Sequence, residues 1–199
     1  MKNKTTTKIA SIIALVALVV PASLQARLGE NIAETDKRYG KPKFTHTEGN
    51  MAYRNYTFKE KDIEVIFSDD EAVFEFINFG PYEIYDGSQA QQIGAQNGEF
   101  ILAIMTAAYE WPEEKVAELL TNLGMQGQEM ASQLEHEGVT AKYYINAVKL
   151  QLHNIYEGGL RLNSKKVEDE EVRNAAGAIM QAAYEAKQKA KNKSKAGGF

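Results

Sequence analysis

The residues that could do chemistry are few and scattered. The chain has three histidines, His46, His136 and His153, and no cysteine. His136-Glu137 begins like the helix of a zinc protease, in which two His one turn apart hold the metal and the Glu acts as base. Position 140 is Thr, however, and Gly138 would end such a helix. His46-Thr47-Glu48 lacks the cysteines that a zinc deaminase needs to complete its site. Asp69-Asp70-Glu71 offers oxygen ligands of the kind calcium takes, but Asp bonding its own backbone in a hairpin turn is the simpler reading. The nucleophile elbow Gly-x-Ser-x-Gly, the phosphate-cradling loop and the dinucleotide glycine fingerprint are all missing. No catalytic, cofactor-binding or metal-ligating residue is therefore assigned, and thiol chemistry is excluded. Trp111 with Tyr109, and the aromatic run of Tyr53, Tyr56 and Phe58, could line a ligand groove or face a partner. Core packing accounts for both more simply.

The first 26 residues carry an address. Lys2, Lys4 and Lys8 precede a run from Ile9 to Val20 whose one polar side chain is Ser11, and Pro21 and Ala26 follow. This order of charge, apolar stretch and small residue is that of a bacterial secretory signal, cut after Ala26 with Ala22 as the alternative. The apolar run is too short for a spanning helix, which needs about 20 residues. Without cysteine, neither a lipid anchor of the lipoprotein kind nor a disulfide framework is available, so packing alone must hold an exported domain expected to be soluble.

Charge narrows the partners. The chain is formally −4, but the signal holds three lysines and no acid, so the remainder has 20 basic residues against 27 acidic ones. Five of those lysines, Lys187, Lys189, Lys191, Lys193 and Lys195, sit in the last stretch, which leaves residues 27–186 at −12. An acidic body with a basic end is not built to grip nucleic acid, which needs Lys and Arg clustered on the folded face.

These residues must be positioned by a mixed architecture. Residues 31–39 read as two helical turns, stopped by Gly40 with Pro42 behind it. Residues 51–58, 63–67 and 72–79 alternate or run apolar between polar breaks and predict a three-stranded antiparallel meander. From Ser88 the helical period takes over after a Gln-rich linker over 89–96. It predicts a buried helix through 100–109, a second opening at Trp111-Pro112-Glu113-Glu114 and closing at Gly124, and a third over 125–137. Residues 140–156 fit helix or strand and are read as helix. Residues 168–186 form a last helix with a thin stripe of Val172, Ala176, Ile179 and Ala183. The prediction is an α+β fold: a short helix and meander packed against a mostly helical C-terminal half. Its parts are a signal over 1–26, helix plus meander over 27–80, a helical region over 81–186 sharing the core, and a disordered basic tail over 187–199.

Arg27-Leu28-Gly29-Glu30, then Arg38-Tyr39-Gly40-Lys41-Pro42, then Ile63-Glu64-Val65-Ile66-Phe67 resembles the opening of a group of small exported bacterial proteins of unknown function. More distantly, the order is similar to the SmpA/OmlA outer-membrane assembly lipoproteins and to the β-lactamase-inhibitor-protein module, which set a helix with a Gly-x-Pro corner before a small antiparallel sheet. The likeness covers about 50 residues at the start of the mature chain, and its one specific motif is the 39–42 corner. The lipid-bearing Cys of the lipoproteins is absent, one short helix stands where two are usual, and no functional residue carries over.

Two functions of different class remain. One is an exported, non-enzymatic module that binds a protein or an envelope component through its sheet. The other is an exported hydrolase whose carboxylates and a lone His meet only in the fold. Converging carboxylates in a pocket would favour the second, a flat open patch the first.

Overall fold

The computed structural model describes residues 28–80, 82–84, 87–126, 129–149 and 154–196. The signal segment and His153 lie outside them. Helix α1 (Ile32–Tyr39) is followed by β1 (Phe44–Glu48), β2 (Met51–Phe58), β3 (Lys61–Ser68) and β4 (Glu71–Asn78). After β5 (Tyr82–Ile84) come α2 (Gly87–Ala108) and α3 (Glu113–Thr121), then β6 (Gly124–Gln126), β7 (Glu129–His136), β8 (Val139–Lys149) and β9 (Asn154–Ser164). A 3-10 turn (Lys165–Glu168) leads into α4 (Glu170–Ala196).

Among the described residues the strands form one nine-stranded antiparallel sheet in the order β1-β2-β3-β4-β9-β8-β7-β6, with β5 paired to β9. It is two four-stranded meanders, each preceded by a helix and joined at their last strands, β4 and β9. The α+β class holds, but the meander has four strands rather than three, and the expected helical half over 81–186 contains a second meander. The helices expected over 125–137 and 140–156 are instead β6 to β9. The Gln-rich 89–96 linker is the first half of α2, and the tail from Lys187 continues α4 to Ala196.

Local chemistry explains the ends of these elements. Asn31 accepts from the Glu34 amide while the Glu34 side chain accepts from the Asn31 amide, a capping box that starts α1. Gly40 ends it at φ 81°, a conformation that suits glycine, with its amide bonded to the Asp36 carbonyl. Lys59-Glu60, Asp69-Asp70 and Glu137-Gly138 each hold two consecutive residues at positive φ, the two-residue turn whose twist matches paired strands. Asp69 and Asp70 are thus turn residues, and Asp70 also accepts from the Ile32 amide at 3.2 Å, tying the hairpin to α1.

Alternation along the strands divides the side chains between two layers. On one side Ile63, Val65, Phe67, Ile77, Ala141, Leu160 and Leu162 meet Tyr39 of α1, Ile101, Ile104 and Met105 of α2, and Val116 and Leu119 of α3 in one buried cluster. Trp111 is 2% exposed and belongs to it, with its ring edge-on to His136. Tyr53 and Tyr56 are fully buried as well. On the other side Met51, Tyr53, Ile66 and Val73 receive Ala176, Ile179 and Ala183 of α4.

The first residue of the expected tail is a clamp. The Lys187 ammonium donates to the Tyr53 hydroxyl at 2.6 Å and reaches Glu64 at 3.4 Å, over the Tyr53 ring. Glu64 is 8% exposed. Lys187→Ala removes the cation from that carboxylate, leaving it the Tyr184 hydroxyl at 3.4 Å as a donor, and should cost about 2 kcal/mol in denaturant unfolding. Lys189→Ala, on the exposed flank, should change stability by less than about 0.5 kcal/mol. Equal effects would mean that Lys187 does not hold the helix down.

Candidate functional site

Among the described residues, two places apart from the Lys187 clamp bring polar or aromatic groups together. The first is buried. β4 carries Glu75 toward the three-helix side, where it is 3% exposed. Tyr39, at the last turn of α1, donates to its Oε1 at 3.0 Å. The Tyr109 hydroxyl, just past α2, lies near enough to feel the same carboxylate without forming a well-shaped hydrogen bond to it. Arg38 pairs with Glu30 alongside. Burial pushes the Glu75 carboxyl up to about 7, against the downward pull of the Tyr39 bond and the Arg38 charge. Burial, with the nearby Glu75 charge, likewise holds both phenols well above the usual tyrosine range.

Beside this cluster, Leu28, Tyr109, Glu110, His136, Glu137 and Val139 line a small cleft of about 140 Å³. The cleft and the buried acid share one residue, Tyr109. His46 is remote from it, on β1, where it lines a shallow groove with Thr47, Glu48 and Ala182, Glu185, Ala186 and Lys189 of α4. The histidines at 46 and 136 are therefore not brought together. Among the described residues no group of three His, Asp or Glu is arranged to hold a metal ion.

The second place is the open half of the sheet. α4 packs on β1, β2 and β3. On the same side of β4, β9, β8 and β7 the pairing aligns Phe76 with Arg161, Arg161 with Lys142, and Lys142 with Gln133. Arg161, Gln133 and Glu135 are exposed there. The Phe76 and Tyr144 rings stack 6.0 Å apart and 12° from parallel. The Arg161 guanidinium lies 4.8 Å from the Tyr144 ring centre and 5.9 Å from that of Phe76. Gly159 makes this possible, since a Cβ there would come within 2.5 Å of Phe76 Cε2 and 2.9 Å of the Tyr144 hydroxyl. Tyr184, 43% exposed, stands on α4 at the border of this face and donates to Glu64 at 3.4 Å.

None of Phe76, Tyr144, Gly159, Arg161 or Lys142 was marked by the sequence. The one available signal was the Gly158-Gly159 pair inside an otherwise alternating stretch, a pattern for close approach of neighbouring groups. No helix of the described residues is long and apolar enough to cross a membrane. The chain matches no family model, no curated protein and no solved structure.

Proposed function

We propose that this chain is an exported bacterial envelope protein that works by binding rather than by catalysis, and that the open half of its sheet is the recognition face. The observation that carries this reading is exposed Arg161, held over the half-buried Phe76 ring and the buried Tyr144 ring on the half of the sheet beyond α4. Arg and aromatic residues are what protein interfaces concentrate at their centres, because they combine large contact area with directional polar contacts. The secretory pattern of residues 1–26 supplies the address, and the resemblance to small helix-plus-sheet envelope modules fits a partner met outside the cytoplasm.

The hydrolase reading would have to use Glu75, the acid whose proton affinity is most suited to neutral pH. Its carboxylate is enclosed by Tyr39, Tyr109 and the Arg38-Glu30 pair, which makes it a link between α1, β4 and the end of α2.

A photoreactive residue at Gln133, on the open face, tests the binding reading against one at Glu114, exposed on α3. The expected result in the native envelope is a discrete adduct from position 133, lost with Arg161→Glu, and none from position 114, on protein whose mass begins at Arg27. Equal labelling from both positions, or none from 133, would remove the face as a recognition surface.

A further inference from the structure

The two ends of the sheet are finished differently. β6 closes one end with three residues, a short edge that offers little to a further strand. β1 closes the other with five, and among the described residues no strand lies beyond it. Its Thr-His-Thr centre has no Pro, Lys or bulge to guard it, and its register against β2 runs unbroken from Phe44 to Glu48.

The outer edge of β1 is symmetric about His46. Gly49, at φ 60°, and Asn50 form a two-residue turn, so the flanking Glu48 and Met51 exchange both backbone bonds. Bonded and unbonded pairs alternate, which gives β2 the backbone groups of Phe44, His46 and Glu48 and turns those of Thr45 and Thr47 outward. A second copy related by a two-fold axis at His46 matches them. Each Thr45 then meets the Thr47 of the other copy, and each such pair exchanges both backbone bonds.

Charge favours the same direction. β1 starts beside Lys41 and Lys43, with the Lys187 ammonium 5.6 Å from the Phe44 ring centre, and it ends at exposed Glu48. Antiparallel pairing sets each basic start against the acidic end of the other copy, and parallel pairing would set like against like. Lys43 and Lys187 have partners of their own in Asp62 and Glu64, so these charges select direction while the backbone bonds supply affinity. On α4, Ala182 and Ala186 line the groove beside His46, small side chains that let a second α4 come near.

We propose that two copies of this chain pair antiparallel through β1 about His46 and join their sheets into one. β1 is at the far end of the sheet from β7, so the dimer leaves both open faces free and doubles the display, which raises avidity toward a partner that repeats. The pairing does not depend on what those faces bind.

In sedimentation equilibrium the mature chain should be a dimer. His46 faces its own copy in an unbonded pair, where side chains stand closest. His46→Glu and His46→Lys should therefore each weaken dimerisation about tenfold or more, and an equal mixture of the two should restore it as a heterodimer. The chain has no cysteine, so one introduced thiol reports the register. His46→Cys should give a disulfide-linked dimer on mild oxidation. Thr45→Cys should not, since diagonal neighbours lie about 7–8 Å apart, beyond the reach of the bond. A wild type that stays monomeric, a dimer indifferent to both charge variants, a mixture that fails to pair although both variants are folded by circular dichroism, or equal cross-linking at 45 and 46 would overturn the proposal.

Discussion

Glu75→Gln should stabilise the protein at pH 8 and leave its stability unchanged at pH 4. In the folded chain burial raises the Glu75 carboxyl to about 7, against an ordinary value of 4.5. Between those values the folded state holds a proton that the unfolded chain has released, so stability is complete below about 4.5 and falls as pH rises toward 7. The difference corresponds to about 3 kcal/mol at pH 8, which Gln removes because it is neutral at every pH and keeps an acceptor for the Tyr39 hydroxyl. Urea unfolding of both chains from pH 4 to 8 reads this directly. A gap between them that stays constant across the range would show that Glu75 does not titrate in the fold. Glu75→Ala separates charge from structure: it leaves the Tyr39 hydroxyl without its partner and should destabilise even at pH 4.

Ile104→Asp should abolish the native state throughout, in both meanders at once. Ile104 is 5% exposed on α2, in the cluster that also holds Ile63 and Ile77 from the first meander and Leu160 and Leu162 from the second. An unpaired carboxylate there costs several kcal/mol, a large part of the ~5–15 kcal/mol that a domain of this kind possesses. Ile104→Ala, at about 2–5 kcal/mol, keeps a measurable transition and should lower it as a single step. Calorimetry of the wild type should show one transition, and two separate transitions would mean that the halves do not share a core.

The sequence made the first half readable and misled in the second for a definite physical reason. Ile63, Val65 and Phe67 are β-favouring residues on one face, and Asn31, Glu34 and Gly40 are explicit helix signals, so β3 and α1 stand close to where pattern places them. The short edge strand β1, with its Thr-His-Thr centre, has too little apolar contrast to be seen. β7 reads Glu-Met-Ala-Ser-Gln-Leu-Glu-His, rich in residues that prefer helix, and pairing with β6 and β8 together with the packing of Leu134 on the core holds it extended. Gly138 was ambiguous in the same way. A glycine at positive φ serves equally as the residue after a helix and as half of a tight hairpin turn, and it does the second. The apolar stripe of α4 was legible, but the clamp by Lys187 was not, because a lysine among lysines looks solvated until the acid it meets, far away in sequence, is in view. Glu75 was invisible for the same reason: its partners come from α1 and from the end of α2.

The seam between β4 and β9 also sets an order of assembly. The first meander can form from hairpins closed by neighbouring residues, but the outer edge of β4 over 74–78 waits for residues 159–163. A chain that emerges from a ribosome or a translocation pore with its N-terminus first therefore exposes the apolar Ala72–Phe79 stretch, with an unpaired row of backbone amides and carbonyls, until residues 159–163 have followed. During that interval this edge is open to pairing with any other extended chain, so the step most exposed to aggregation is the closing of the last strand into the middle of the sheet.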